Sequence, residues 1–378
     1  MRSRTIALTS AGLSPSELGE ASRAAGRDPD LALAFLPATP DLGPTLDALA
    51  AAWPATLRCG CEVAGQISDT RSTGDGSVQV FWFDRPERPK PPEALVLEGS
   101  FDHPPAEAEI AAFAGRLAGA DGVLLFADGV RFPAERVLAE IGRRLAPSKI
   151  RIAGGLGTGV FLDRRIYPAA CLALLLHGVD MQVEVLRGWT AASPIYTVTR
   201  AEGPVLYEID GESATDWYRR FFTVRGELAP LPEASQGFPL IIVGPSSRRR
   251  GLYRSLRAFD RSTGTVTLWG ELETGDQVRM GMFDGGDVES RFESLEAAAG
   301  RMRTGGAPVE AAILYSCVDR QDTLGERMGE EIATLHRALG QVPLSGFFTF
   351  GEIGPCGDAT PAYYNHTAVL ALLREGAS

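Results

Sequence analysis

The sequence predicts an α/β protein built from duplicated β-α-β units in mixed sheets and organised as two tightly associated domains. Three observations support this fold class. Strand-like and helix-like runs alternate, a glycine-bearing strand pattern recurs, and 378 residues are too many for one small domain. The composition, 44% hydrophobic and 22% charged, is that of a globular protein with a large core.

The first region predicts alternating elements from its residue pattern. Thr5–Thr9 and Leu31–Leu36 are short apolar runs typical of strands. Ser14–Ala25 begins with a serine, a proline and a glutamate at the positions that start helices, and Asp41–Trp53 repeats leucine at helical spacing. Gly60–Ile67 is then predicted to be a strand that carries glycine.

The same alternation continues to the end of the chain. The further predicted strands are Val78–Phe83, Ala94–Glu98, Gly122–Phe126, Ile150–Val160, Ala169–His177, Val183–Val185, Pro194–Arg200, Pro239–Val243, Gly251–Phe259, Thr265–Glu271, Asp276–Met282, Val309–Tyr315, Val342–Phe350 and His366–Leu373. The further predicted helices are Ala106–Ala118, Pro133–Leu145, Ala214–Phe222, Ser290–Met302 and Gly325–Leu339.

The domain boundary is predicted in Glu227–Gly237, which is rich in proline and small residues. This places one domain at residues 1–232 and the other at 233–378. Because the connecting segment is short, we expect the two domains to associate as one body.

One pattern of strand, helix and glycine-bearing strand recurs along the chain. It occurs at residues 32–67, 123–157 and 313–353, and the first and third copies share the motif G-x-x-x-x-G-[QE]-I. Glycine in a strand allows another backbone or a ligand to approach closely. The recurrence therefore predicts a repeated β-α-β unit.

The acidic charge excludes some classes of function. Lys plus Arg number 37 against 48 Asp plus Glu, so the net charge is −11. Nucleic acids and anionic membrane surfaces attract basic proteins, and neither is an expected partner. No apolar run is long enough to span a membrane, and the N-terminal residues do not form a secretory signal. Five sparse cysteines favour a reducing cytoplasm.

Polar residues at the ends of predicted C-terminal strands form the main candidate site. Cys317 follows Val309–Tyr315, at the start of a predicted loop, and Arg320 comes three residues later. Glu352 and Asn365 come from other strand ends, where ligands gather in α/β folds. This set suits a zwitterion, with Arg320 binding a carboxylate and Glu352 binding an amine.

Three interpretations of these residues remain open. In the first, Arg320 and Glu352 form a structural ion pair and Cys317 is a small buried filler. In the second, the residues bind a ligand. In the third, the Arg320 cation lowers the pKa of the Cys317 thiol and makes it a nucleophile, but no histidine is placed as its base.

Further residues of the same segments complete the predicted pocket. Gly351 leaves room beside Glu352, and three phenylalanines, Phe347, Phe348 and Phe350, supply apolar wall on the face that strand alternation assigns. The predicted ligand-binding residues are Cys317, Arg320, Gly351, Glu352, Asn365 and Thr367.

Cysteines and histidines elsewhere offer weaker candidates. Cys59 and Cys61 point to one face of a strand and suit a soft metal, with Cys171, Cys317 and Cys356 as remote contributors; buried structural cysteines are the alternative. His177 and His366 flank predicted strands and are either axial haem ligands or ordinary strand-end residues. The four histidines show no metallohydrolase spacing.

One basic cluster stands out in this acidic chain. It comprises Arg248, Arg249, Arg250, Arg254 and Arg257, and it is either a solvated loop or a surface for an acidic partner or an anionic ligand. Nucleotide motifs are missing, since Gly154–Gly157 lacks the third glycine of a dinucleotide fingerprint and no Walker lysine motif is present.

The motifs of the C-terminal third resemble those of the FIST family. They are a strand ending in Ser-Cys with a nearby arginine, an acidic helix, a Gly-Phe-x-Thr-x-Gly-Glu-Ile strand and an Asn-x-Thr strand. These occur in order at Ile313–Arg320, Glu330–Ile332, Gly346–Ile353 and Tyr364–Val369. Gly60–Ile67, Phe126–Gly129, Gly154-Gly155 and Gly188-Trp189 match N-terminal elements, so the similarity covers nearly the whole chain. Gln66 and Arg187 depart from the family, which commonly has Glu and His at these positions.

The resemblance implies a stand-alone cytoplasmic sensory protein. It would bind a small, amino-acid-like ligand and signal through a partner such as a histidine kinase or a cyclic-dinucleotide enzyme. Some family members are haem-binding nitric oxide sensors that regulate histidine kinases, so haem is an alternative ligand, although Arg187 counts against it. A Cys317-dependent enzyme is the third hypothesis, and a non-enzymatic sensor is favoured over it.

Overall fold

The computed structural model describes the chain as an interlocked set of mixed sheets flanked by helices. It covers residues 1–8, 15–39, 41–73, 75–84, 90–146, 150–224, 227–228, 237–245, 249–283, 297, 308–356 and 360–376. Nearly all of the helix predicted at 290–302, most of segment 227–237, and Arg248 lie outside these residues.

The helices lie close to their predicted positions. Among the described residues they are α1 (Pro15–Ala25), α2 (Gly43–Ala52), α3 (Glu107–Leu117), α4 (Ala134–Leu145), α5 (Ala214–Phe222), α6 (Val318–Leu324) and α7 (Met328–Ala338), and a 3₁₀ turn at Gly325–Arg327 lies between the last two. The loop predicted after Cys317 is wrong, because α6 begins at the next residue. No helix among the described residues is long and apolar enough to cross a membrane.

The strands are numbered in chain order. Those of the first half are β1 (Arg2–Ala7), β2 (Leu31–Pro37), β3 (Leu57–Val63), β4 (Gln66–Ser68), β5 (Arg71–Thr73), β6 (Ser77–Trp82), β7 (Glu93–Glu98), β8 (Gly122–Asp128), β9 (Arg151–Gly157), β10 (Gly159–Leu162), β11 (Arg165–Tyr167), β12 (Ala170–Leu176) and β13 (Val179–Leu186). Those of the second half are β14 (Trp189–Ala191), β15 (Tyr196–Glu202), β16 (Val205–Ile209), β17 (Glu212–Ser213), β18 (Thr223–Val224), β19 (Glu227–Leu228), β20 (Leu240–Gly244), β21 (Tyr253–Arg254), β22 (Leu256–Asp260), β23 (Thr265–Leu268), β24 (Gln277–Phe283), β25 (Ala311–Cys317), β26 (Leu344–Thr349), β27 (Glu352–Cys356), β28 (Thr360–Tyr364) and β29 (Ala368–Glu375).

Three six-stranded sheets share one plan, which confirms the mixed α/β fold and the repeated unit. Each is built on a parallel pair joined through helix: β2 with β3, β8 with β9, and β25 with β26. The strand orders are β1-β6-β2-β3-β10-β11 in the first sheet, β7-β12-β8-β9-β27-β28 in the second and β13-β29-β25-β26-β4-β5 in the third. The unit thus occurs at all three places where the sequence pattern predicts it.

A hairpin follows each parallel pair and joins a different sheet. The hairpin β4–β5, which follows β3, pairs with β26 of the third sheet. In the same way β10–β11 follows β9 but joins β3, and β27–β28 follows β26 but joins β9. The strand predicted at Ile150–Val160 is therefore two strands, because the chain leaves one sheet after Gly157 and enters another.

One glycine in each unit explains the recurring motif. Gly60, Gly154 and Gly346 lie directly opposite Ala34, Leu125 and Leu314 in the three parallel registers. A Cβ atom at any of the three glycines would overlap the backbone oxygen of the residue opposite. The motif therefore marks the place where the two parallel strands of each unit come closest.

The three sheets pack one face each against a common core. The ring of Phe347 lies 4.9 Å from Phe35, 6.3 Å from Phe126 and 5.6 Å from Tyr315, measured between ring centroids. In each unit, the residue opposite the glycine is followed directly by an aromatic residue. These equivalent aromatic residues are Phe35, Phe126 and Tyr315. The outer faces of the sheets pack on the helices in three separate apolar clusters.

A fourth sheet joins the end of the N-terminal half to the start of the C-terminal half. Its order is β21-β20-β24-β15-β16-β23-β22, with β14 beside β24 and β17 beside β16. Tyr364 and Cys356 of the second sheet's edge pack into its core together with Trp217 of α5. This contact places the fourth sheet over the carboxyl edge of the β25–β26 pair, where the candidate site lies.

Replacing Gly154 with alanine should lower the free energy of unfolding by about 3 kcal/mol or more, because the new Cβ overlaps the Leu125 backbone inside a packed sheet. Gly115 of α3 is the matched control, since no atom lies within 4 Å of an added Cβ there. Gly115→Ala should add about 0.5–1 kcal/mol through helix propensity. Denaturant unfolding measures both, and equal stability of the two variants would contradict the close strand approach.

Candidate functional site

The candidate site lies at the carboxyl edge of the β25–β26 pair. β25 ends at Cys317, β26 ends at Thr349, and the link between β28 and β29 passes the same edge. The backbone N–H of Cys317 donates a hydrogen bond of 3.0 Å to the carbonyl of Thr367. The edge therefore brings together the three segments from which the sequence predicts a pocket.

Glu352 ties two of these segments together. One carboxyl oxygen accepts hydrogen bonds from the backbone N–H (3.1 Å) and the hydroxyl (2.7 Å) of Thr367, and the other contacts the hydroxyl of Thr349. Burial raises the pKa of Glu352 to about 8, so the group is largely a neutral acid at neutral pH. Glu352 is thus occupied by its own strand ends.

Arg320 points away from Glu352. Its guanidinium donates to Glu331 of α7 at 2.6 Å, and both side chains are 4% exposed. The interpretation in which Arg320 pairs with Glu352 is therefore wrong, because the carboxylate that reaches the arginine comes from the acidic helix. The Nε and Nη1 atoms of Arg320 are buried and have no hydrogen-bond partner. The ring of Trp189 lies 5.7 Å from the guanidinium carbon.

His366 lies beside this guanidinium in an unusual backbone conformation. Its φ angle is 55°, in the left-handed region that only a few per cent of non-glycine residues adopt. The predicted strand from His366 therefore begins two residues later, at Ala368. Its Nε2 lies 3.2 Å from a carboxylate oxygen of Asp319, and its ring packs edge-on against Trp189 at 4.8 Å.

The histidine is neutral and keeps one free acceptor. Burial, together with the neighbouring Arg320 cation, lowers the pKa of His366 to about 3. The bond to Asp319 assigns the proton to Nε2, which leaves the Nδ1 lone pair facing no partner. Two unpaired donors on Arg320 and one unpaired acceptor on His366 therefore lie close to the same tryptophan.

A chain of hydrogen bonds fixes the surroundings of His366. Ser255 of the fourth sheet donates its hydroxyl to Asp319 (2.9 Å) and its backbone N–H to the side-chain oxygen of Asn365 (3.3 Å). Asn365 donates to the hydroxyl of Tyr363 at 3.1 Å. The ring of Tyr363 fills the space beside Gly351. The expected room at Gly351 is therefore absent in this arrangement.

The Cys317 thiol is not activated by Arg320. Burial raises the pKa of this thiol, and the carboxyl groups of Glu352 and Asp319 raise it further. The guanidinium makes its charged contact with Glu331 instead. Burial also raises the thiol pKa values of Cys59, Cys61 and Cys171, and all five cysteines are buried.

The three phenylalanines do not form one pocket wall. Phe347 belongs to the common core, Phe348 faces α6 and α7, and Phe350 packs partly buried against the α3–α4 side. The strand turns successive side chains to opposite faces, and the chain then leaves the sheet. Phe347 and Phe348 therefore face opposite sides of the strand as the sequence predicts, whereas Phe350 does not continue this alternation.

Comparison with protein families agrees with the motifs at this edge. Residues 30–212 match the FIST N domain and residues 214–355 match the FIST C domain. The chain belongs to the FIST family. FIST domains form a sensory, signal-transduction family in bacteria. The domain boundary at 232/233 stays a prediction.

Curated relatives of this FIST protein come from mycobacteria. An uncharacterised protein of Mycobacterium tuberculosis is 27% identical over 263 residues, which cover 66% of this chain and 67% of that protein. An uncharacterised protein of Mycobacterium bovis is 27% identical over 264 residues, covering 66% of each. Both relatives are uncharacterised, so their names identify no ligand.

The histidines of this FIST protein do not fit axial haem ligation. His366 is 1% exposed, with one nitrogen on Asp319 and its ring against Trp189. His177 is also buried, at the end of β12. Neither histidine lines the two clefts described below. Among the described residues, no group of three His, Cys, Asp or Glu side chains is placed to hold a metal ion.

The arginine cluster is not a solvated loop. Arg254 is fully buried and pairs with Glu135 of α4 at 2.6 Å, and its other nitrogens donate to backbone carbonyls. Arg249 pairs with Glu273 at 2.7 Å and with Asp276 at 3.2 Å. Arg257 is exposed and lies over the ring of Trp269. The described arginines thus have separate surroundings and do not form one basic surface.

Two open clefts are bordered by Tyr363. A cleft of about 400 Å³ separates α4 from the fourth sheet, and one of about 210 Å³ lies at the start of α4. None of the six predicted ligand-binding residues lines either cleft. The residues common to both linings are Glu135, Glu271 and Tyr363.

Glu352→Gln should remove a specific pH dependence of stability. The folded-state pKa of about 8 lies above the ordinary 4.5, so the folded protein keeps a proton that the unfolded chain loses. The free energy of unfolding of the wild type should fall relative to the variant as pH rises from 4.5 to about 8. The slope approaches ~1.4 kcal/mol per pH unit.

Denaturant unfolding across this pH window measures the difference. Glu330→Gln, which changes an exposed carboxylate of α7, is the matched control and should show no such divergence. A difference between wild type and Glu352→Gln that stays constant over the window would contradict a neutral, buried Glu352.

Iodoacetamide should label Cys317 slowly in the native protein. The raised pKa lowers the thiolate fraction by about tenfold for each unit, and burial slows access further. Mass spectrometry of tryptic peptides compares the native rate with the rate in denaturant. Rapid labelling at neutral pH would instead favour the enzyme hypothesis.

Proposed function

We propose that this FIST protein is a sensor that binds a small amino-acid-like molecule at Arg320 and His366 and passes the signal to a partner protein. The observation that carries the proposal is the buried guanidinium of Arg320, which uses one nitrogen on Glu331 and leaves Nε and Nη1 unpaired. A buried donor without a partner costs about 1–3 kcal/mol. A ligand that accepts both bonds recovers that free energy.

The chemistry of the unpaired atoms supports an amino acid. The unpaired Nε–H and Nη1–H groups of Arg320 point in different directions, so each donates a separate hydrogen bond, and the positive charge of the guanidinium favours carboxylate oxygens as the acceptors. The lone pair on Nδ1 of His366 accepts a hydrogen bond from the ammonium group of such a ligand. Trp189 supplies an apolar wall against which both groups already pack. Glu352 does not serve as the amine partner, because its oxygens bond to Thr349 and Thr367.

The other predicted site residues have supporting roles in this proposal. Glu352 and Thr367 hold the link that carries His366, and Asn365 anchors the same link to Ser255. Cys317 ends β25, and its backbone N–H donates a hydrogen bond to the carbonyl of Thr367. Gly351 lets Tyr363 pack closely. Arg320 is the ligand-contacting member of the predicted set.

The proposal that the protein signals through a partner rests on its membership of the FIST family and not on an observed contact with another protein. The proposed partners are a histidine kinase or a cyclic-dinucleotide enzyme. The site joins Trp189 of the FIST N domain to Arg320 of the FIST C domain. A ligand there changes contacts between the two domains, which gives a partner a difference to detect.

Arg320→Ala should abolish thermal stabilisation by amino acids. A ligand present at 100 times its dissociation constant adds about 2.7 kcal/mol to the folded state, and this gain requires the guanidinium. Differential scanning fluorimetry of the wild type and the variant with the common amino acids measures the increment. Amino-acid amides, which lack the carboxylate, should stabilise neither protein.

Glu331→Gln separates ligand binding from folding. Arg320→Ala leaves the Glu331 carboxylate buried without its partner, so the unliganded variant should lose about 3–5 kcal/mol. Glu331→Gln disturbs the same pair but keeps the guanidinium, and it should retain the ligand increment. No stabilisation of the wild type by any amino acid, or equal stabilisation by the amides, would contradict the proposal.

A further inference from the structure

The smaller cleft, of about 210 Å³, has an aromatic lining at the junction of the two family domains. Phe101, Phe132 and the start of α4 come from the FIST N domain, while Arg257 and Trp269 come from the FIST C domain. Tyr363 lies between them. The cleft is distinct from the Arg320 site, because none of its lining residues belongs to that site.

Its aromatic rings are already arranged for stacking. Trp269 lies roughly parallel to Phe350, at 6.4 Å and 22°, and the guanidinium of Arg257 lies 4.6 Å above the centre of the Trp269 ring. Phe101 is 59% exposed, so a large apolar side chain remains in water at the rim. Flat apolar surfaces of this kind favour a planar ring as ligand.

The charges of the cleft favour an anion. Arg136 and Arg257 are exposed and form no ion pair with any described residue, whereas Arg249 and Arg254 nearby are paired. Glu135 is neutralised by Arg254 (2.6 Å) and by the backbone N–H of Glu271 (2.7 Å). The Glu271 carboxylate is the one lining anion outside an ion pair. Two free cations therefore face one free anion in an otherwise acidic protein.

We propose that this cleft binds a small planar aromatic carboxylate. Its ring packs against the exposed edge of Trp269 beside Phe101, and its carboxylate pairs with Arg257 and Arg136. The volume lies below the usual range of about 300–1,000 Å³ for drug-sized ligands, so one or two fused rings fit and a nucleotide does not. This site is independent of the amino-acid site, and binding there joins the two domains through a second ligand.

Isothermal titration calorimetry with 2-naphthoate tests the proposal on the full chain. The wild type should bind the acid with a dissociation constant below about 1 mM, and 2-naphthalenemethanol, which lacks the charge, should bind about tenfold more weakly. Trp269→Ala should weaken binding of the acid by about tenfold, and Arg257→Ala by about fivefold or more.

Two controls keep the result specific. Arg200→Ala removes an exposed arginine that stacks on Tyr207 elsewhere and should leave binding unchanged. A saturating amino acid, bound at the Arg320 site, should also leave it unchanged, which distinguishes this cleft from the amino-acid site. Thermal unfolding confirms that each variant is folded. No binding of 2-naphthoate to the wild type, or equal binding to Trp269→Ala and Arg257→Ala, would overturn the proposal.

Discussion

The contact of three β-sheets around the ring of Phe347 is the constraint on which the rest of the structure depends. Phe35, Phe126 and Tyr315 reach this ring from equivalent positions, with centroids within 6.3 Å of it. A close-packed interior leaves no alternative arrangement of similar volume, so the three parallel pairs are fixed relative to one another. Close approach of the strands at Gly60, Gly154 and Gly346 keeps each pair narrow enough to fit.

Each hairpin pairs with a different sheet from the strands it follows, and this pairing links the packing around Phe347 to the position of the candidate site. Glu352 begins a hairpin that pairs with the second sheet, yet its carboxyl group bonds back to Thr367 beside the third. Trp189 follows β13, which is paired with β29 along its whole length. Arg320 and His366 therefore meet a tryptophan from the other half of the chain because the sheets are interlocked. The unpaired donors of Arg320 are held in place by the fold, which is the preorganisation that a binding site needs.

The sequence predicted the repeated unit, most elements and the edge at which polar residues gather, because glycine spacing and apolar periodicity are local signals. It did not predict that each hairpin joins another sheet, since strand partners far apart in the chain leave no local mark. Glu331 was visible in the acidic helix, but its pairing with Arg320 depends on α6 starting directly after Cys317. Asp319 and Ser255 were missed because a single polar residue on a helix or strand carries no pattern. The burial of Arg254 was not predicted, because its partner Glu135 comes from a distant helix.

Native-state hydrogen exchange with added denaturant tests the shared core most directly. The account predicts that backbone amides of β2, β8 and β25 exchange through the same global opening, with one free energy and one denaturant dependence. These strands belong to three sheets and to both family domains, so equal values require a single cooperative core. Exchange of β25 through a separate, lower-energy opening, while β2 and β8 stay protected, would contradict the account.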